Sequence, residues 1–267
     1  MKIARYTVDG QVGFGVVEEL DGQGLPTADT YLAALDGHPF GPLTPTGIRH
    51  RFEAVRLLAP VLPSKVVAIG KNYADHAAEM GGEVPSEPVM FLKPSTSVVG
   101  PGDAITLPRQ SSHVDHEVEL AVVIGRLCSD VPAERARDVI LGYTVANDVS
   151  ARDLQKSDGQ WSRAKGFDTF CPIGPWIETD LDFTDPHVDE SIVCSVNGLS
   201  RQAGRTADLV RGVAELVAFV SAVMTLLPGD LILTGTPAGV GPIVAGDEVS
   251  VAVSGIGRFS NRVTARD

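Results

Sequence analysis

The run Asp115-His116-Glu117-Val118-Glu119-Leu120 places two glutamates two positions apart. Side chains alternate across a β-strand, so Glu117 and Glu119 share one face while His116, Val118 and Leu120 take the other. Two like charges ~7 Å apart along a strand repel unless a positive group lies between them. Acids are ordinary on the solvent face of an edge strand. Here, however, Ala121, Val122, Val123 and Ile124 follow, apolar on both faces. That pattern predicts a buried strand. A buried carboxylate pair requires a cation, and hard divalent ions such as Mg²⁺ take carboxylate ligands of this kind. Asn147-Asp148 closes the apolar run 141–146. Asp148 either caps the helix predicted over 151–156 or supplies a third oxygen ligand.

Four further features could take part in chemistry. His76 and Glu79 are three apart, hence neighbours on a helical turn. A carboxylate beside an imidazole orients it and raises its basicity, as a general base for water requires, although a surface ion pair has the same spacing. Arg152 and Gln155 also lie three apart, on one helix face, and together suit a carboxylate. Lys165 lies among Trp161, Ala164, Gly166 and Phe167; partly buried near a metal, it would set its charge against a developing anion, whereas exposed it would not. The run Thr234-Gly235-Thr236-Pro237-Ala238-Gly239-Val240-Gly241 follows a predicted strand. It is neither GxGxxG nor GxxxxGK[ST], which argues against nucleotide binding, but free N–H groups and hydroxyls there suit a small carboxylate. There is no G-x-S-x-G elbow and no H-E-x-x-H array. Cys128, Cys171 and Cys194 have no histidine nearby in sequence and read as small apolar residues.

The elements that must position these groups belong to a chain of 267 residues, 43% hydrophobic and 21% charged. That length suits one large domain, or a large one with a small appendage. A formal charge of −12 argues against a basic footprint for nucleic acid. No apolar run approaches the ~20 residues of a membrane span, and the N-terminus lacks the apolar stretch of a secretory signal. The expectation is therefore a cytoplasmic protein that binds neither nucleic acid nor membrane. Short strands are predicted over 2–8 and 12–19, joined by the hairpin dipeptide Asp9-Gly10. The segment 22–47 shows no clear periodicity. The composition changes at 59–63, which suggests a small N-terminal domain over 1–60 and a larger one over 61–267. In the larger part, strands are predicted over 65–69, 117–124, 141–149 and 231–234, with a terminal hairpin around 249–257. Helices are predicted over 72–80, 133–140 and 209–224; in the last, Leu209, Val213, Leu216, Val217, Val220, Val223 and Met224 form one apolar face. The six acids within 178–190 suggest a solvated loop. Helices are few and do not alternate with strands, which predicts a strand-rich α+β fold rather than a barrel of repeated strand–helix units.

Taken together, these segments resemble the fumarylacetoacetate hydrolase family over about three quarters of the chain. The stretches that carry the resemblance are Gly70-Lys71-Asn72-Tyr73 with His76, Met90-Phe91-Leu92-Lys93-Pro94, Val114-Asp115-His116-Glu117-Val118-Glu119-Leu120-Ala121, Asn147-Asp148-Val149-Ser150-Ala151-Arg152-Asp153, Gly159-Gln160-Trp161, the run from Lys165-Gly166-Phe167-Asp168 to Gly174-Pro175-Trp176, and the 234–241 loop. They occur in the family's order and roughly at its spacing. The resemblance implies a catalytic domain with a rolled mixed sheet, a small N-terminal α/β domain and a homodimer. It implies Mg²⁺ or Mn²⁺ held by Glu117, Glu119 and Asp148, an acid–base pair at His76 and Glu79, an active-site lysine at Lys165, and substrate contacts at Arg152, Gln155, Gly235 and Thr236. His116 stands where many members carry Tyr, and strand alternation turns it away from the metal.

The implied substrate is a small 2-oxo acid, and an ion at such a site would polarise its oxo group. Three reactions share the resulting enolate. Hydrolysis of a C–C bond in an acylpyruvate or fumarylpyruvate comes first, because both His76 and Glu79 are present to activate water. Isomerisation of 2-hydroxyhepta-2,4-diene-1,7-dioate and decarboxylation of an oxaloacetate-type acid are the alternatives, and sugar-acid dehydration is a further reaction on the same fold. A non-catalytic binding homologue would show decay at the metal or base positions, and the sequence shows none.

Overall fold

The computed structural model describes residues 1–266. Three sheets carry nearly all the regular structure. The largest has 12 strands, and its main path runs Leu43–Arg51, Tyr31–Gly37, Gln11–Glu18, Lys2–Val8, Cys171–Glu178, Ile140–Asn147, Val118–Ile124, Leu231–Leu233, Val66–Gly70 and Val89–Lys93. Most neighbours on this path are antiparallel, but Leu231–Leu233 and Val66–Gly70 run parallel, so the sheet is mixed. A five-stranded sheet orders Leu199–Arg205, Ser191–Val196, Glu248–Val253, Gly257–Ala265 and Ile105–Leu107. Between these lies a small sheet of Ser150–Ala151, Val114–His116 and Gly241–Pro242. The fold is the strand-rich α+β architecture that the sequence predicts.

The strand Val118–Ile124 is buried along its whole length. Leu120, Val122 and Ile124 join one apolar cluster, together with Cys194, Val249, Val251 and Phe259 of the five-stranded sheet. Ala121 and Val123 face a second cluster with Ala68, Ala146 and Leu233. Apolar residues on both faces of this strand therefore reflect cover on both sides, as expected for a central strand. The N-terminal strands continue the large sheet: Ile3 pairs with Ile177, and Asp9 and Gly10 make the hairpin turn at φ 50° and 76°. In this part the expected α/β character reduces to strands and one 3₁₀ turn, Phe52–Ala54, because the aperiodic segment folds into the strands Tyr31–Gly37 and Leu43–Arg51.

Among the described residues, four short α-helices complete the fold: α1, Ala74–Glu79; α2, Arg152–Asp158; α3, Ser162–Lys165; and α4, Val213–Val223. The segment 133–140, predicted as a helix, forms the 3₁₀ stretch Ala133–Val139 instead. Helix α4 starts four residues later than its apolar pattern suggests. Asn72 accounts for the delay: its backbone carbonyl accepts the Val210 N–H at 2.9 Å and its Oδ1 accepts the Arg211 N–H at 2.8 Å, which holds 209–211 out of the helix in a bridge and a bend. Glu178, assigned to the solvated loop, is instead buried, with Lys2 Nζ donating to its Oε2 at 2.5 Å. Among the described residues, no helix is long and apolar enough to cross a membrane.

Candidate active site

Glu117 occupies the junction where the chain leaves Val114–His116 of the small sheet and enters Val118–Ile124 of the large one. Across the antiparallel pair, the Glu117 N–H donates to Asn147 Oδ1 at 2.9 Å and the Asp148 N–H donates to the Glu117 carbonyl at 2.8 Å. This register sets Asp148 beside Glu117, and strand alternation brings Glu119 to the same face. Carboxylate oxygens of Glu117, Glu119 and Asp148 all lie within 4.8 Å of one another, and all three residues are buried.

Positive side chains converge on this cluster from three elements. Lys165, at the end of α3, donates to Glu117 Oε2 at 2.7 Å and to Asp148 Oδ2 at 2.6 Å. Lys93, at the end of Val89–Lys93, donates to Asp148 Oδ1 at 2.5 Å. Arg152, opening α2, bonds Glu117 Oε1 through Nη2, Asp115 Oδ2 through Nε at 2.7 Å and Gln155 Oε1 through Nη1 at 2.8 Å. Glu119 has no cationic partner among the described residues; its Oε2 accepts the Gly235 N–H at 2.6 Å. Four buried carboxylates, Asp115 included, thus face three cations. Burial opposes ionisation of Glu117, yet Arg152 and Lys165 prevail and hold it below the usual carboxylate range. Glu119 is pushed well above that range, first by burial and then by the charges of Asp148 and Glu117. Burial would lower the Lys165 ammonium, but Asp148 and Glu117 raise it overall. Three hard oxygen donors, one of them lacking a countercharge, fit a hard divalent cation.

A cavity of about 630 Å³ opens over the cluster. Glu117, Glu119, Asp148, Lys165, Arg152, Gln155, His76 and Thr236 all line it. Ile69, Met80 and Trp161 supply apolar wall, and Gly70 leaves the room that Trp161 occupies: a Cβ there would stand 2.5 Å from the indole ring. Glu79 and Gly235 stand one layer back, Gly235 behind Glu119 and Glu79 behind His76. Glu79 Oε2 pairs with His76 Nδ1 at 3.2 Å, and both Glu79 oxygens accept the Gly239 N–H at 3.0 and 3.2 Å. This fixes the imidazole with its proton on Nδ1 and leaves Nε2 without a protein partner among the described residues. His116 points away from the carboxylates onto Gln202, and its burial lowers its pKa.

Two contributors escape the sequence reading. Lys93 belongs to the Met90-Phe91-Leu92-Lys93-Pro94 stretch, but nothing local signals that its ammonium reaches Asp148, 55 residues away. Asn72, the residue before Tyr73, donates through Nδ2 to the Thr234 carbonyl at 2.7 Å, so the start of α1 and the 234–241 loop share one anchor.

Comparison with known proteins places this geometry in context. Residues 65–264 match the model described as fumarylacetoacetate (FAA) hydrolase C-terminal, and residues 1–60 match the one described as Rv2993c-like, N-terminal. Protein Rv2993c of Mycobacterium tuberculosis is 53% identical over 266 residues, spanning 100% of this chain and 99% of the relative. A solved structure named 2-hydroxyhepta-2,4-diene-1,7-dioate isomerase, from Mycobacterium marinum, superposes with a TM-score of 0.90 at 50% identity, covering 100% of this chain and 99% of its own. Fumarylpyruvate hydrolase from Pseudomonas aeruginosa, in complex with Mn²⁺ and pyruvate, superposes with a TM-score of 0.72 at 34% identity, covering 79% of this chain and 92% of its own. A family model spanning most of the chain, and relatives this similar from end to end, show that the chain belongs to the fumarylacetoacetate hydrolase family.

Proposed function

We propose that the protein is a metal-dependent enzyme acting on 2-oxo acids through an enolate, with hydrolysis of a C–C bond in an acylpyruvate or fumarylpyruvate as its reaction. One observation carries this reading: the buried Glu117–Glu119–Asp148 cluster and the His76–Glu79 pair serve one cavity. Glu117, Glu119 and Asp148 would hold Mg²⁺ or Mn²⁺, an assignment supported by the Mn²⁺ complex of the Pseudomonas relative. When bound, the ion supplies Lewis-acid polarisation of the substrate's oxo group. Lys165 Nζ, beside Glu117 and Asp148, offsets negative charge growing on that oxygen. Arg152, with Gln155, keeps Glu117 ionised and in place. Thr236 and the neighbouring loop backbone orient the substrate's carboxylate. His76 Nε2 takes a proton from water, and Glu79 stabilises the imidazolium that results. Ile69, Met80 and Trp161 give the cavity an apolar wall against the rest of the substrate.

Isomerisation of a 2-hydroxyhepta-2,4-diene-1,7-dioate type of substrate is the second reading, favoured by the 50% identity to the Mycobacterium marinum protein of that name. In that case His76 Nε2 moves the proton between carbons instead. The test compares His76→Ala and Lys165→Ala at saturating Mg²⁺, with acetylpyruvate hydrolysis and oxaloacetate decarboxylation measured side by side. Loss of His76 is expected to slow hydrolysis by ~10²–10⁴-fold. Decarboxylation needs no attacking water and should fall far less. Loss of Lys165 should depress both. Equal losses in the His76 variant would contradict the hydrolytic reading.

A further inference from the structure

Gln202 belongs to Leu199–Arg205, in the five-stranded sheet, and is fully buried. Its amide makes four hydrogen bonds. Oε1 accepts the Val118 N–H at 3.0 Å and pairs with His116 Nδ1 at 3.0 Å; Nε2 donates to Thr236 Oγ1 at 2.7 Å and to the Pro237 carbonyl at 2.8 Å. The amide's orientation follows from its neighbours. Val118 N–H can only donate and the Pro237 carbonyl can only accept, so a flipped amide would set donor against donor and acceptor against acceptor. His116 must then carry its proton on Nδ1, which leaves the buried Nε2 with no partner.

Two consequences reach the cavity. Thr236 Oγ1 accepts from Gln202 and donates its own hydrogen to the Val118 carbonyl at 2.8 Å, so this hydroxyl has no hydrogen left for a ligand. The backbone N–H of Thr236, by contrast, donates to no protein group among the described residues. Gly235, directly before it, sits at φ +108° with its N–H on Glu119. Both peptide N–H groups therefore depend on where the loop is pinned, and Gln202 pins it to Val118, the residue between Glu117 and Glu119.

We propose that Gln202 is a positioning residue of this active site. It fixes the Gly235–Thr236 backbone against the metal-ligand strand, so that the Thr236 N–H, rather than its hydroxyl, meets the carboxylate of the substrate. The Val118 N–H and the Pro237 carbonyl hold the Gln202 amide in its working orientation, and the tautomer of His116 follows from it. The substrate half of this assignment rests on the proposed oxo-acid reading; the loop half does not.

The experiment uses the Mg²⁺-loaded full-length protein and the variants Gln202→Leu, Gln202→Glu, Thr236→Val and Gln202→Leu/Thr236→Val. Two quantities are measured: hydrogen exchange of the 234–241 segment, and KM and kcat for acetylpyruvate with oxalate as inhibitor. Both Gln202 variants are expected to speed exchange in 234–241. They should raise KM and the oxalate inhibition constant about tenfold, the equivalent of one or two hydrogen bonds, with kcat changed less. The double variant should be no worse than the worse single, because both changes break one network. Should Gln202→Leu fail to fold, the isosteric Gln202→Glu, which sets a carboxylate oxygen against the Pro237 carbonyl, carries the same comparison. Unchanged exchange in 234–241, or a fall in kcat with KM intact, would overturn the proposal, as would losses that multiply in the double variant. If the wild type neither turns over an oxo acid nor binds oxalate, the functional reading fails by itself, and the exchange data still decide the role of Gln202.

Discussion

Lys93 Nζ lies 2.5 Å from Asp148 Oδ1 and 3.3 Å from the Val149 carbonyl, in a setting closed to solvent. A buried ammonium of this kind needs a charged partner, and Asp148 serves both Lys93 and Lys165. Lys93→Met keeps the length of the side chain and removes the charge. It should cost about 1.5–3 kcal/mol of stability in chelator, the usual range for one hydrogen bond to a charged group, because Lys165 still partners Asp148. With Mg²⁺ the penalty should shrink, since a divalent ion beside Asp148 restores positive charge; urea unfolding with and without Mg²⁺ reads the difference, and an equal penalty in both would contradict this account. At this scale the sequence is legible where function is local. Strand alternation puts Glu117 and Glu119 on one face, and helical spacing puts His76 beside Glu79. Lys93 and Gln202 are illegible for the opposite reason: their partners lie 55 and 34 or more residues away, and no periodicity relates residues that meet only through the fold.

At the scale of elements, the parallel pair of Val66–Gly70 and Leu231–Leu233 leads directly into the cavity, through Ile69 and Gly70 on one side and the 234–241 loop on the other. Its opposite end is held by Asp230. Oδ1 accepts Ser64 Oγ at 2.6 Å, the Ser64 N–H at 3.0 Å and the Lys65 N–H at 3.2 Å, while Oδ2 takes the Leu227 N–H at 2.8 Å and Lys65 Nζ. Burial opposes the charge, but Lys65 and Ser64 outweigh it, and the carboxyl is held below its ordinary value. The sign follows: its contribution is complete above the unfolded value of about 3.9 and is lost as pH falls through the lower folded value. Asp230→Asn should therefore destabilise by about 3 kcal/mol at neutral pH, and the gap from wild type should close in acid. Urea unfolding from pH 7 down to about 2 measures it; a gap that stays constant below about pH 4 would refute the assignment. Element types were readable wherever one residue pattern dominated, as in the doubly apolar Val118–Ile124. Boundaries were not readable where a distant side chain intervenes, as Asn72 does at the start of α4.

Across the whole molecule, the site lies where the three sheets meet. The large sheet contributes Glu119 and Lys93, the junction with the small sheet contributes Glu117, and the five-stranded sheet reaches in through Gln202. A strand-rich composition predicts such an architecture, but not which strands pair: Lys2–Val8 lies against Cys171–Glu178, across most of the chain. Such pairings are set by loop closure and mutual burial rather than by local propensity. This convergence sets four buried carboxylates, Asp115 included, against three cations, and the function proposed here follows from filling that charge deficit. Mn²⁺ titration of the purified protein, followed by electron paramagnetic resonance, tests this most directly. One tightly bound ion per chain is expected, displaced by Mg²⁺, with affinity falling at least about tenfold in Glu119→Gln and in Asp148→Asn, each of which removes a charged ligand from a hard ion. Mn²⁺ binding that is absent from the wild type, or unchanged in both variants, would contradict it.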